Sequence, residues 1–267
     1  MQIPRLLFLF SIDFAVGLIA WMPLVPFKKV GKPFYKYNAL FALLLALLAG
    51  TVRIYGRAGW VPRRPIEGVT DGMLLLFVAG MAAILWRREG AAYTRICVGS
   101  SLCGTALIVA DAVGGGGSMG WIVPFVALAS ALLLGAVNLA MILGHWYLNI
   151  PNLSIRPLRD LTGGLLVALT LRAFLVGVVL LGASVSTDRP VTLALGRLLS
   201  FWDQGMLLGV RVLFGIAAPF LLWYMVWASV RLRATQSATG ILYAAVVLVV
   251  IGELISKYLF IATGLPL

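Results

Sequence analysis

Apolar residues gather along this chain into eight long blocks, at about 5–26, 35–56, 70–87, 92–113, 119–146, 159–185, 200–230 and 238–262. Each block is long enough to cross the hydrocarbon core of a bilayer, which takes about 20 helical residues. Unpaired backbone groups cost several kcal/mol each in lipid, so every block is predicted to be a helix. The blocks at 119–146 and 200–230 exceed the minimum and are expected to tilt or to extend past the bilayer.

Short polar stretches punctuate the blocks. They are Phe27–Phe34, with three lysines; Arg57–Gly68, with Pro62, Arg63, Arg64 and Pro65; Arg87–Gly90; Gly114–Gly117; Asn149–Arg159; Ser186–Arg197; and Arg231–Gln236. All read as loops, and none is long enough to fold alone. The expected architecture is an all-α membrane protein, a single integral domain over 1–267 with about eight transmembrane helices.

Composition agrees with that picture. The chain is 62% hydrophobic and 11% charged, against about a quarter charged in soluble domains. The first block follows Arg5 as the apolar stretch of a signal peptide would. Asp13 interrupts it, however, and Trp21, Pro23 and Pro26 follow where a small-residue cleavage site would stand, so it reads as an uncleaved helix.

The net charge is +12. Its placement assigns it to membrane flanks and not to nucleic acid, since no basic stretch has the length of a nucleic-acid module. Alternate loops carry Lys28, Lys29, Lys32, Lys36, Arg87, Arg88, Arg95, Arg156, Arg159, Arg231 and Arg233. The other side carries Arg5, Arg53, Arg57, Arg63, Arg64, Arg189 and Arg197. The richer side should be cytoplasmic, which puts both termini outside the cytoplasm in a membrane of the bacterial inner type.

Phe34, Tyr35 and Tyr37 interleave with Lys32 and Lys36, and Trp60, Trp121, Trp146 and Tyr147 lie near other block ends. These suit an interfacial aromatic belt. Lys28, Lys29, Lys32 and Lys36 also suit contact with anionic lipid. Gly205 with Gly209, Ala127 with Ala131 and Gly135, and Ser100 with Gly104 recur at four-residue spacing and mark faces of close helix approach.

Ionisable groups at membrane depth are costly and point to function or to ion-pair locks in the bundle. They are Asp13, Arg172, Arg211, Glu253 and Lys257, with Asp111 and Asp203 nearer block ends. Glu253 and Lys257, four apart on one helix, are spaced to satisfy each other. Asp13 is then expected to pair with Arg172 or Arg211. His145, in Gly144-His145-Trp146-Tyr147, is the only histidine. It suits a hydrogen bond to a quinone carbonyl, with neighbouring rings to stack, and equally suits an interfacial anchor. One histidine cannot supply bis-histidine haem ligation. Cys97 and Cys103 fit no CxxC or haem-attachment spacing. The four glycines from Gly114 lack the Lys and Ser/Thr of a phosphate loop. No covalent cofactor, metal cluster or nucleophile motif is visible.

The last block reads Gly252-Glu253-Leu254-Ile255-Ser256-Lys257-Tyr258-Leu259-Phe260. It resembles the closing helix of the dimethyl sulfoxide reductase membrane-anchor family, related in role to polysulfide and nitrite reductase anchors. In that family a Gly-Glu-Leu precedes a basic and an aromatic residue; here Lys257 stands where arginine is expected. The likeness covers roughly 30 residues and implies a membrane subunit of a respiratory electron-transfer complex, touching quinone and binding further subunits. Helix two lacks the family's quinol-site histidine. Two other expectations follow from the residues alone: a secondary transporter or channel using Asp13, Arg172, Arg211 and Glu253, or an assembly subunit without chemistry of its own.

Overall fold

The structure is a computed structural model that describes residues 2–56, 65–86, 91–114, 119–150 and 153–267. The expected loops around Trp60, Arg63 and Arg64, at Arg87 and Arg88, and at Gly115–Gly117 lie outside the described residues.

The described residues are helical, with no strand. The helices are α1 (Gln2–Trp21), α2 (Phe27–Gly56), α3 (Pro65–Trp86), α4 (Ala91–Gly114), α5 (Val123–Asn149), α6 (Arg156–Val185), α7 (Arg189–Leu199), α8 (Met206–Val212), α9 (Ala218–Arg231) and α10 (Thr235–Thr263). Wide π-type turns at Phe201–Gly205 and Leu213–Ala217 join α8 and α9 into one rod, Phe201–Arg231. Among the described residues, eight helices are long and apolar enough to cross a membrane: α1 to α6, this rod, and α10.

Several block edges differ from expectation for identifiable reasons. α1 ends at Trp21, where Pro23 admits only a short tight turn, Met22–Leu24. The lysine-rich stretch 27–34 is helical and belongs to α2, with a break at Gly31, whose φ of 80° glycine adopts without a Cβ clash. α5 starts at Val123, with Pro124 in its first turn, and runs on to Asn149. The expected loop 186–197 instead contains α7. Its Val191, Ala194 and Leu198 are buried on one face while Arg189 and Arg197 point outward, the spacing of an amphipathic helix.

The helices form two rings of four. α1, α2, α3 and α4 pack in sequence order, with α4 returning to α1; α5, α6, α9 and α10 do the same, with α10 returning to α5. The rings join chiefly along α1 and α5, which are the most enclosed spans. Small residues allow that seam. A Cβ at Gly17 would strike the main-chain oxygen of Ala131, and one at Gly135 would strike the backbone of Gly17. The face Ala127–Ala131–Gly135 is therefore spent inside the bundle. Ser100 lies against Gly80, and Gly104 against Val16. Gly209, by contrast, has nothing near its Cβ position, so the Gly205–Gly209 pair forms no such seam here.

The outer faces remain apolar. Leu44, Leu75, Leu102, Phe174, Leu181, Met206 and Leu221 are all exposed on the bundle surface, a surface suited to lipid tails and not to water.

Candidate functional site: a buried ion network

Packing of the second ring against α1 sets α1, α5, α6, α8 and α10 side by side, so that Asp13, Ser130, Arg172, Arg211, Glu253 and Lys257 meet inside that ring and its seam with α1. All six are buried. Glu253 stands ten residues before the end of α10, about 15 Å of helix at 1.5 Å per residue.

Glu253 is the hub. Arg172 of α6 donates Nε to Oε1 at 3.0 Å and Nη2 to Oε2 at 3.1 Å. Arg211 of α8 donates Nη2 to Oε1 at 2.8 Å, and Ser130 of α5 donates its hydroxyl to Oε2 at 2.6 Å. Four donors on two oxygens use the full accepting capacity of a carboxylate. The forked contact from Arg172 is the geometry that makes Arg–carboxylate bonds strong and directional.

Lys257, one turn further along α10, reaches away from Glu253 and donates to Asp13 of α1. The expected i,i+4 pairing of Glu253 with Lys257 is therefore not formed, and Asp13 pairs with neither arginine. Each group on α10 faces a different neighbour, and an interhelical partner with two donors holds Glu253 better than one lysine on its own helix.

Two glycines make the room for Arg211. A Cβ at Gly215 would strike Arg211 Nη1 and the backbone of Gly252, where α10 crosses the Leu213–Ala217 turn. π-type turns recur at functional positions because they shift side chains off the regular helical register, and here they bracket the helix turn that carries Arg211.

Beyond α10, Gly264 adopts φ 79° and turns the chain back. Leu265, Pro266 and Leu267 are consequently buried, with Leu265 and Leu267 packed in one apolar cluster with the buried face of α7. Arg172 Nη2 donates to the main-chain oxygen of Leu267 at 2.6 Å and to Ser256 Oγ at 2.7 Å, and Ser256 donates to the same Leu267 oxygen. Among the described residues, Arg172 Nη1 and Arg211 Nε and Nη1 are buried without a hydrogen-bond partner.

A cavity of about 60 Å³ adjoins the network. It is lined by Asp13, Lys257, Ser256, Pro266 and Leu267 at its inner end and by Arg5, Phe8 and Asp111 toward the ends of α1 and α4. Beside it, Arg53 bridges Asp71 at 3.0 Å and Asp111 at 3.1 Å, bonds Thr70, and lies 4.7 Å from the Phe8 ring centre. In the sequence Arg53 stands out only as a flanking charge, and Asp71, Ser130 and Ser256 carry no mark of a site. An acid within a turn or two of a block end, facing a basic block end across one loop, was the available signal for the Arg53 group.

His145, Trp146 and Tyr147 do not join this site. His145 is fifteen residues beyond Ser130 on α5, about 22 Å along the helix. Its Nδ1 lies 3.2 Å from the Tyr243 hydroxyl. Trp146 donates to the main-chain oxygen of Val30 at 3.2 Å and packs edge-on to Phe34. Tyr147 donates to the main-chain oxygen of Ser154. These contacts tie α5 to the break in α2 and to the loop before α6. Asp203 is exposed in the first turn of the rod and far from the network's contacts.

Among the described residues no cluster of His, Cys, Asp or Glu is arranged to hold a metal ion. No family model, curated protein or solved structure matches this chain.

Proposed function

We propose that this chain is a membrane transport protein, a carrier or channel whose ionic substrate or coupling proton engages the Arg172–Glu253–Arg211 site. One observation supports the reading: five buried charges, Asp13, Arg172, Arg211, Glu253 and Lys257, sit together inside the helix bundle beside a cavity that runs from Asp13 and Lys257 to Arg5. Charges this deep are expensive and typically mark ion or substrate paths in membrane proteins. The inner end of the cavity presents Asp13 and Lys257, one turn of α10 from Glu253. The basic-rich face, with Lys29, Lys32, Arg156, Arg159, Arg231 and Arg233 outward, is the cytoplasmic one in this reading, in an inner-membrane setting. Anionic lipid at Lys28, Lys29, Lys32 and Lys36 accompanies it.

The test is reconstitution into proteoliposomes, with an internal pH dye reporting proton movement and vesicle swelling reporting anion entry. Flux is expected in the native chain, strongly reduced in Ser130→Ala and absent in Glu253→Gln, with His145→Ala at the native rate. Equal flux in native and Glu253→Gln vesicles would remove the reading.

A second reading, a quinone-touching subunit of an electron-transfer complex, draws on the Gly252–Phe260 resemblance and on an exposed His145 beside Tyr243 at the lipid boundary. Detergent extraction of native membranes checks it. Co-purification with redox partners favours this reading; a lone chain counts against it.

A further inference from the structure

We propose that Asp13 is the proton-binding carboxylate of this chain, and that Lys257 links its protonation to the Arg172–Glu253–Arg211 site by changing partner from Asp13 to Glu253. The inference names the coupling ion of the transport reading and rests on it.

Two buried carboxylates serve the network, and their surroundings differ. Glu253 accepts two hydrogen bonds from Arg172 and one each from Arg211 and Ser130, and its side chain is fully enclosed. With both oxygens filled, a proton reaches it only by displacing a donor. Asp13 accepts from Lys257 alone among the described residues, so lone pairs on its carboxylate stay free. Its side chain is 2% exposed and that of Lys257 7%, and both line the cavity.

The cavity supplies the route. Its 60 Å³ corresponds to about two waters at about 30 Å³ each, and Asp13, Lys257 and Ser256 offer polar atoms at its inner end. From there the lining continues past Phe8 to Asp111 and to exposed Arg5, eight residues before Asp13 on α1, or about 12 Å. A carboxylate at the inner end of such a cavity exchanges protons through water, as the acids of membrane proton relays do. A metal cation is a poorer occupant. Lys257 already neutralises Asp13, which leaves no negative charge to hold one, whereas a proton needs only a free lone pair.

The charged groups around Asp13 fix the consequence. From α10 it faces Lys257 and, one turn back, Glu253, with Arg172 of α6 beyond. Asp111 of α4 lies across the cavity, held by Arg53 of α2. α5 carries no Asp, Glu, Lys or Arg, and its His145 stands at the far end. When a proton passes from cavity water to an Asp13 oxygen, one O–H bond forms and the Asp13–Lys257 pair goes from neutral to a single positive charge. Lys257 then lacks a counter-charge, which is unfavourable for a buried ammonium. The nearest other acid is Glu253, four residues back on the same helix, a spacing at which the two side chains meet. Lys257 turns to it and competes with Arg172 and Arg211 for its oxygens. Proton occupancy of Asp13 thereby sets how firmly the two arginines are held, which is a coupling between the two sites.

Infrared difference spectroscopy of the purified chain in lipid, recorded between neutral and acidic buffer, tests this. Acidification is expected to bring in a carboxylic-acid C=O band that is lost in Asp13→Asn, moved in Asp13→Glu and kept in Asp203→Asn, which removes an exposed acid elsewhere. Native and Asp13→Asn spectra that superimpose overturn the proposal. Should Asp13→Asn not fold, a band that stays unmoved in Asp13→Glu overturns it equally. With isotope-labelled glutamate, a glutamate carboxylate band is expected to shift on acidification in the native chain and to stay put in Lys257→Met. A native band that does not shift, or one that shifts equally in Lys257→Met, overturns the linkage. Proton flux in proteoliposomes separates this inference from the transport reading. An Asp13 band without flux keeps the proton site and removes transport; flux without an Asp13 band keeps transport and removes Asp13 as its proton carrier.

Discussion

Arg172 and Glu253 meet side by side through two hydrogen bonds, Nε to Oε1 at 3.0 Å and Nη2 to Oε2 at 3.1 Å, with neither side chain exposed. They are eighty-one positions apart in the chain and lie on different helices, so the contact clamps α6 to α10. Arg211 adds the rod Phe201–Arg231 to the same carboxylate, and Ser130 adds α5. One glutamate thereby ties together all four spans of the second ring.

Removing that glutamate should be costly. Glu253→Ala leaves two buried guanidinium groups without a counter-charge, and breaking a buried pair in this way costs about 3–5 kcal/mol. Replacing all three groups with apolar residues, as Arg172→Met, Arg211→Met and Glu253→Leu, should recover most of that loss, because no orphaned charge remains. Unfolding of the detergent-solubilised variants by graded SDS measures both. A triple variant no more stable than Glu253→Ala would contradict the ion-pair account.

Asp13 and Lys257 should behave as an energetically coupled pair. Lys257→Met strands the Asp13 carboxylate, and Asp13→Asn strands the lysine. The double variant should lose clearly less than the sum of the singles, with a coupling of about 0.5–3 kcal/mol. A double-mutant cycle read by the same unfolding assay decides it; additive losses would mean that the contact carries no energy.

The seam between the two rings depends on the absence of side chains. Gly17→Val places a branched side chain where the Ala131 main-chain oxygen already lies, and overpacking of a close-packed interior costs about 1–3 kcal/mol or more. Gly209→Val, with open space at its Cβ, should be tolerated within about 0.5 kcal/mol as a change on an outer face. Comparing monomer yield and unfolding midpoints of the two variants is the check.

Trp146 should matter for structure and not for flux. Trp146→Phe removes the hydrogen bond to the Val30 oxygen while keeping most of the ring packing on Phe34. The expected cost is about 0.5–1.5 kcal/mol, with proteoliposome flux at the native rate. A variant of native stability but lost flux would move the functional site to the His145 end of α5.

Anionic lipid should associate with the basic-aromatic start of α2. Lys29 and Lys32 point outward and Lys36 is half-buried, and each lysine near a lipid surface contributes about 1 kcal/mol. Replacing all three with glutamine should reduce the number of anionic lipids retained in native mass spectra of the solubilised protein. Unchanged retention would assign these lysines to sidedness alone.

Eight spans could be read from the chain because the rule behind them is local: an apolar block of sufficient length in lipid has no alternative to a helix. The identity of the buried charges was equally legible, since a charge inside such a block is visible in one dimension. Their pairing was not. Four-residue spacing says that Glu253 and Lys257 share a face of α10, but it does not say which helices that face meets. That is decided by how the two rings close around α1 and α5, and it gave Glu253 two arginines from α6 and α8 and gave Lys257 the aspartate of α1. Block edges failed in the same way. The stretches Phe27–Phe34 and Ser186–Arg197 look polar enough for loops, yet the helices that cover them each have one apolar face that their neighbours bury, as Val30 and Phe34, and as Val191, Ala194 and Leu198. The return of Leu265–Leu267 over Arg172 has no signal in the chain beyond Gly264 itself. Hydropathy determines which segments enter the membrane, because each segment meets lipid one by one; partners for the charges are chosen by packing among segments far apart in sequence, and only the folded bundle contains that information.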